Sequence, residues 1–447
     1  MTSSSHNIGP FGPRSINPRT KIAVIGAGIA GHGAAWALSK QCNVTLFERE
    51  TQFGGHSYTY DVKCDGYTVP VDMGFIVYNE LNYPNLVGLF NTLGVKTERS
   101  NMSFSVSLNN GAYEYHGSGL KGVFAQKRNL LHPGHLRMLL QVLKFYKSAP
   151  VEARARDLTQ ITLGEWLSEL GMGRGFRERH IVPMAACIWS ASAQEILDFP
   201  AAAFVRFFEN HGLFKLKQRP QWRTVSGGSR SYVKALHDDM QAVTRRACPV
   251  SAVERGADSV TVHSPNGAEM FDEVIIATHG DEALPLIENP TRAETETLSA
   301  FRYSSNEVIL HTDHRLMPKR RKVWSSWNYV APSVIDPGRP VPLTYWMNRL
   351  QNLPANQDIF VTLNPLEPIA PKYVQQRRTF MHPIFDARTY AAQPKLQDLQ
   401  GADRIWFAGS YFGYGFHEDA LSSGLAVAKA LGARLPWEEG AQAVAAE

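Results

Sequence analysis

Gly26, Gly28 and Gly31 stand in the pattern G-x-G-x-x-G, and an acid, Glu48, follows 17 residues after the last of them. Glycines at this spacing suit a phosphate site. The first allows a tight turn, the second lets backbone approach a pyrophosphate, and the third permits close packing of helix on strand. A helix opening at Ile29 and Ala30 would aim unpaired N–H groups and a positive dipole at the phosphates, while Glu48 would accept ribose hydroxyls. The flanks supply the elements this needs. Lys21 to Ile25 is a short apolar run of strand type, an Ala-rich run to Leu38 reads as a helix, and Asn43 to Phe47 reads as a second strand ending at the acid. This β-α-β unit predicts dinucleotide binding.

Further motifs lie just beyond this unit and at the far end of the chain. Glu48-Arg49 is followed by the pair Gly54-Gly55 with His56, then by Val71-Asp72-Met73-Gly74-Phe75. Arg404 to Ala408 reads as a strand delivering Gly409-Ser410, and a helix opens in Gly415-Phe416-His417-Glu418-Asp419-Ala420 and runs to about Leu431. Together these segments resemble the extended flavin-binding motifs of the amine oxidase and phytoene desaturase superfamily. The resemblance implies non-covalent FAD. Arg49, Gly54, Gly55 and His56 would lie along the cofactor, with His56 where relatives often carry an Arg near the diphosphate. Gly74 and Phe75 would pass beneath the isoalloxazine. Backbone at Val250 would meet the adenine end, Gly409 and Ser410 the ribityl chain, and Phe416, His417 and Ala420 the pyrimidine edge. Ser410 departs from the acid many relatives have after the glycine. No cysteine lies in the closing segment, so a cysteinyl flavin linkage is not expected.

Within the superfamily, Asp72 to Asn79, Asn101 to Val106, Met381 to Phe385 and Gly413 to Asp419 resemble a branch of bacterial predicted NAD/FAD-binding proteins. Similar flavin domains are fused to plant cyclopropane fatty acid synthases, and one bacterial member desaturates methylated acyl chains on the way to furan fatty acids. The implied activity is desaturation of unsaturated or methyl-branched acyl chains of membrane phospholipid, by hydride transfer to flavin N5. A lipid-modifying methyltransferase is the implied partner. Amine oxidation, carotenoid or isoprenoid desaturation, and FAD-dependent isomerisation without net redox are the alternatives.

Motifs at both ends of one cofactor domain require the chain to leave it and return. The expected fold is α/β, with a Rossmann-type, amine-oxidase-like FAD domain over 20–85, 215–285 and 400–435. An interleaved α+β substrate domain of mixed sheet and helices takes 86–214 and 286–399, and loose tails take 1–19 and 436–447. Gln221 to Ser229 carries a central glycine pair before a helix through Met240, and Val250 to Val253 and Ser259 to Val262 read as strands before Glu273 to His279.

Composition agrees with a large folded core. The 447 residues are 44% hydrophobic and only 19% charged, with net charge +5, and the mean hydropathy is −0.24. That excludes a disordered polyelectrolyte, and the charge is too diffuse to indicate nucleic acid. Cys42, Cys64, Cys187 and Cys248 form no C-x-x-C pair, so reduced thiols are expected and no metal site is. No apolar run is long enough to span a bilayer, and a cytoplasmic protein is expected, peripheral on the inner face of the membrane. Leu136, Leu139, Leu140, Leu143 and Tyr146 recur at helical spacing after Pro133-Gly134. They form either a core-facing stripe or, with Lys121, Lys127, Arg128, Arg137, Lys144 and Lys147, a membrane contact.

Catalytic candidates are His382, His417 and Glu418. Each has a structural alternative: a hydrogen bond for His382, backbone contact with the flavin for His417, and helix N–H capping for Glu418 and its neighbour Asp419. Trp324, Trp327, Tyr345 and Trp346 line an apolar tunnel, an amine cage or an ordinary core. Lys319 to Lys322 reads as a solvated loop or a headgroup contact.

Overall fold

The structure, a computed structural model, describes residues 16–64, 66–332 and 337–438. The expected N-terminal tail falls mostly outside these residues. A five-stranded parallel sheet runs in the order Val243–Arg245, Asn43–Phe47, Lys21–Ile25, Glu273–Ile276, Ile405–Phe407. All four residues of Glu273–Ile276 are buried, as expected of a strand covered on both faces. Helix Ile29–Ser39 covers one face and is buried along its whole length. Helix His417–Ala430 packs on it at backbone distance: a Cβ at Gly424 would lie 2.1 Å from the Ala30 carbonyl oxygen, and one at Gly33 would lie 2.5 Å from Leu421. On the other face sits a three-stranded antiparallel sheet, Ala252–Arg255, Val260–Ser264 and Gly267–Phe271.

A seven-stranded mixed sheet forms the second lobe, in the order Val374–Ile384, Arg302–His311, Phe360–Leu363, Leu343–Trp346, Trp327–Ala331, Phe104–Leu108, Tyr113–His116. Only Trp327–Ala331 and Phe104–Leu108 pair in parallel. Helices between 133 and 210 pack beside this sheet around Phe145, Trp166, Phe176, Phe204 and Phe208, all fully buried.

Packing shifts the expected domain limits. Helix Pro84–Leu93 sits with the cofactor-side core through Leu86, Leu89 and Phe90. Leu298, Ala300, Ala392, Leu396 and Leu399 pack under the parallel sheet. Hairpin Thr59–Cys64/Tyr67–Asp72, by contrast, buries Val62, Val69 and Val71 in the substrate-side core. The expected tail from 436 is tied down at its start, where Trp437 stacks on Trp36 at 6.0 Å between ring centroids; residues 439–447 lie outside the described set.

Helix Pro133–Ala155 splits the expected stripe between the core and solvent. It buries Met138, Val142, Phe145, Tyr146 and Ala149 and turns Leu136, Leu140 and Leu143 outward. All four cysteines are buried. Among the described residues no helix is long and apolar enough to cross a membrane.

Candidate active site

The glycine loop ends the central strand. Gly26 has φ +100, and a Cβ there would lie 2.8 Å from the Ala277 carbonyl oxygen. A Cβ on Gly28 would meet nothing within 4 Å, because it would face the large cavity between the lobes, about 550 Å³ in volume. No side chain caps the helix that begins at Ile29, so its first N–H groups open onto this cavity. Glu48 is buried, and its carboxylate accepts from the N–H groups of Ala27 at 2.8 Å and Glu50 at 2.9 Å. Burial still pushes its pKa upward.

The cavity gathers nearly all the residues singled out in the sequence. Gly26, Gly28, Ile29, Ala30, Glu48, Arg49, Gly54, Gly55, His56, Gly74, Phe75, Val250, Gly409, Ser410, Phe416, His417, Ala420 and His382 all line it. Gly31 does not; it packs helix on strand, since a Cβ there would lie 1.9 Å from the Gly26 carbonyl oxygen. The second glycine pair docks directly on the first loop: Gly54 N–H donates to the Ala27 carbonyl at 2.9 Å. A Cβ on Gly55 would lie 3.2 Å from the Gly28 Cα. A second helix N-terminus, at His417, converges on the same space. Two helix starts facing the cavity, a glycine loop open to it and an acid at the strand end fit an FAD laid from Val250 to Phe416.

Glu418 departs from the expected catalytic position. It is absent from the cavity wall. Its carboxylate accepts from Asn85 N–H at 2.8 Å, Asn85 Nδ2 at 3.0 Å and Leu86 N–H at 3.0 Å, so it caps helix Pro84–Leu93. Burial raises its pKa to about 7. Asp419 braces the turn before the helix, accepting from Tyr414 N–H at 3.0 Å and Phe416 N–H at 2.9 Å.

His417 stacks on Phe75 with centroids 3.9 Å apart. Its Nε2 lies 2.6 Å from the Tyr232 hydroxyl, which in turn meets Ser57 Oγ at 2.5 Å. Burial lowers its pKa to about 3, so it is neutral at pH 7 and its tautomer sets which partner donates in the bond to Tyr232. His382 belongs to another group: His56 lies 5.5 Å from His382 and 5.7 Å from His279, ring to ring. Burial and then the neighbouring His279 hold His382 near about 4. His382 Nδ1 is buried without a hydrogen-bond partner. Each of these imidazoles has a folded pKa below its ordinary 6.5. Their contribution to stability is full above pH 6.5 and is lost as pH falls below it, for His382 through about 4. His382→Gln should therefore lose less melting temperature than wild type between pH 7 and pH 5; equal losses would show that His382 already titrates normally.

The expected aromatic tunnel divides. Trp327 and Tyr345 line the cavity and pack edge-to-face at 5.0 Å. Trp324 and Trp346 sit apart in a small cluster with Met317 and Phe360. The basic run near them is structural in part: Arg320 pairs with buried Glu114 at 2.7 Å and Arg321 with Asp358 at 2.9 Å.

Other residues had no functional reading in the sequence. Ile188, Trp189, Phe207, Leu213, Val308 and Leu363 build the apolar half of the cavity. Asp72, fully buried, accepts from Ser229 N–H and Oγ, Thr59 Oγ1 and Gln351 Nε2 at 2.6–3.0 Å, fixing the segment after Gly227-Gly228. The signal for Asp72 was present in its motif, whereas nothing local marked the apolar wall.

Residues 29–432 match the model of the flavin containing amine oxidoreductases. The chain belongs to this family. It is an FAD-dependent oxidoreductase with the family's α/β fold. Similar solved structures include a conjugated linoleic acid-producing fatty acid isomerase from P. acnes, with TM-score 0.67 and 15% identity, covering 93% of this chain and 99% of that one. A cyclohexylamine oxidase from Brevibacterium oxydans gives 0.65 at 15% identity, and a putrescine oxidase bound to putrescine gives 0.64 at 16%, each with the same coverage. No curated protein matches the chain.

Proposed function

We propose that this FAD oxidoreductase desaturates unsaturated or methyl-branched acyl chains of membrane phospholipid. The observation carrying the reading is the chemistry of the cavity wall. Its acids, Glu48, Glu50 and Glu282, all lie at the dinucleotide end, and the other half is lined mainly by aliphatic and aromatic side chains, with basic Arg378 and His211 but no carboxylate among the described residues. A cationic amine entering that half would lose hydration without gaining a counter-ion, whereas an acyl chain would lose only its contact with water. Bound flavin supplies a hydride acceptor. The chain's own part is to orient the acyl segment between Trp327, Tyr345 and Phe207 and to exclude water. The unpartnered Nδ1 of neutral His382 is the proton acceptor this reading favours.

The outward face of Pro133–Ala155 and the turns just before it, Gly119–Val123 and Lys127–Leu131, support delivery from a bilayer. Leu131 is 88% exposed, Leu120 78% and Leu140 68%. In the same stretch of chain Lys121, Lys127, Arg128, Arg137, Lys144 and Lys147 are all exposed. Exposed leucines and cations in one stretch suit an anionic lipid surface. Leu131→Glu combined with Leu140→Glu should cut cosedimentation with phosphatidylglycerol vesicles several-fold while leaving the flavin spectrum unchanged; unaltered cosedimentation would remove this surface from the reading.

The activity is tested anaerobically, by adding bacterial phospholipid extract to the yellow protein and following its visible band. Bleaching, with a new double bond found by mass spectrometry, supports the proposal. Bleaching by amines alone points to amine oxidation, and an altered acyl chain without bleaching or oxidant consumption points to isomerisation.

A further inference from the structure

Edge strand Val374–Ile384 carries an arginine that the reading above leaves unused. Side chains alternate across a strand, so Gln376, Arg378, Phe380 and His382 share one side. Arg378, Phe380 and His382 line the cavity, and Gln376 Nε2 reaches the Tyr58 hydroxyl at 3.2 Å. The Arg378 guanidinium lies over the Tyr58 ring at 4.2 Å and near that of Phe380 at 5.6 Å. It is half-buried, and among the described residues it has no carboxylate partner and no hydrogen bond.

Its neighbours differ. Arg377, pointing the other way, pairs with Glu307 at 2.8 Å, and Arg49, the other arginine on the cavity wall, pairs with Glu282 at 2.6 Å. A guanidinium held by ring faces keeps its planar fork of N–H donors free, and that fork matches a carboxylate or phosphate two bonds at a time. At about 3.4 Å per residue, Arg378 stands roughly 14 Å along the strand from His382, and His382 touches the His56 group beside the glycine loops.

We propose that Arg378 anchors the anionic head group of the substrate, a carboxylate or a phosphate, and so sets which carbon of the chain reaches the histidine end of the cavity. This rests on the acyl-chain reading above. The FAD-loaded wild type, Arg378→Ala and Arg378→Lys are titrated with oleate, methyl oleate and oleoyl lysophosphatidic acid, reading the shift of the flavin band and the fluorescence of cavity-lining Trp189, Trp222 and Trp327.

Losing a charge-assisted bidentate contact at a half-buried site should weaken binding about tenfold. Arg378→Ala should show that loss for oleate, and methyl oleate should bind wild type and variant alike. Arg378→Lys, which keeps the charge but not the fork, should fall between. The same loss confined to the lysophosphatidic acid assigns the site to a phosphate head group. Equal binding of both anions by wild type and Arg378→Ala overturns the assignment and leaves the acyl reading standing. If wild type binds neither oleate nor its ester, the acyl reading and the anchor fall together.

Discussion

Gly28→Val should yield a folded but colourless protein. Gly28 has φ −69 and ψ 178, a conformation any residue adopts, and an added Cβ meets no protein atom. The substitution therefore costs the bare chain little. What it fills is the space in front of the Ile29 helix start, where the pyrophosphate must come within hydrogen-bond reach of backbone N–H groups. We expect FAD retention to fall by at least about a hundredfold, equivalent to roughly 3 kcal/mol, with a melting temperature close to that of wild type stripped of FAD. The measurement is the ratio of flavin to protein absorbance after purification, beside a melting curve. A fully yellow variant would falsify the placement of the pyrophosphate.

Asp72→Ala should be the most damaging substitution for stability. One carboxylate, 1% exposed, accepts from Ser229, Thr59 and Gln351. Its removal strands several buried donors at once, a loss of roughly 3–5 kcal/mol. Asp72→Asn keeps acceptor capacity and should lose less. Burial raises the pKa of Asp72 to about 6 from the ordinary 3.8. The proton-linked part of its contribution therefore favours the folded state below pH 3.8 and is lost as pH rises through 6, opposite in sign to that of the histidines, while the hydrogen-bond hub persists at pH 7. Urea unfolding at pH 7 reads the difference, and an Ala variant within about 1 kcal/mol of wild type would show that the hub is dispensable.

The parts legible in the sequence were those where local pattern and long-range structure demand the same residues. Lys21–Ile25 and Asn43–Phe47 form strands over the expected residues because a buried parallel strand is a continuous apolar run. Gly267–Phe271 escaped notice because it is a largely exposed strand with little apolar signal. Glu418 was misplaced for a geometric reason. Successive residues of a helix are turned about 100° from one another, so His417 faces the cavity and Glu418 faces Asn85. The stripe on Pro133–Ala155 stayed open between core and membrane contact, since helical periodicity marks a face without saying which side meets the core. Trp324 and Trp327, three residues apart, belong to different clusters, and an aromatic run carries no information on depth. The apolar wall comes from Ile188, Phe207, Val308 and Leu363, which only the tertiary fold assembles.

The near-contact of Ala30 with Gly424 also has a consequence during synthesis. Lys21–Ile25 occupies the middle of the parallel sheet, yet its neighbour on one side is Glu273–Ile276, and the next strand beyond is Ile405–Phe407. At translation speeds of about 5–20 residues per second, the first strand waits roughly 20–80 s for that outer strand to leave the ribosome. Until then its glycine loop lacks half its walls and an apolar helix lacks its cover. The cavity wall is thus complete only once the chain through the closing helix His417–Ala430 has been made.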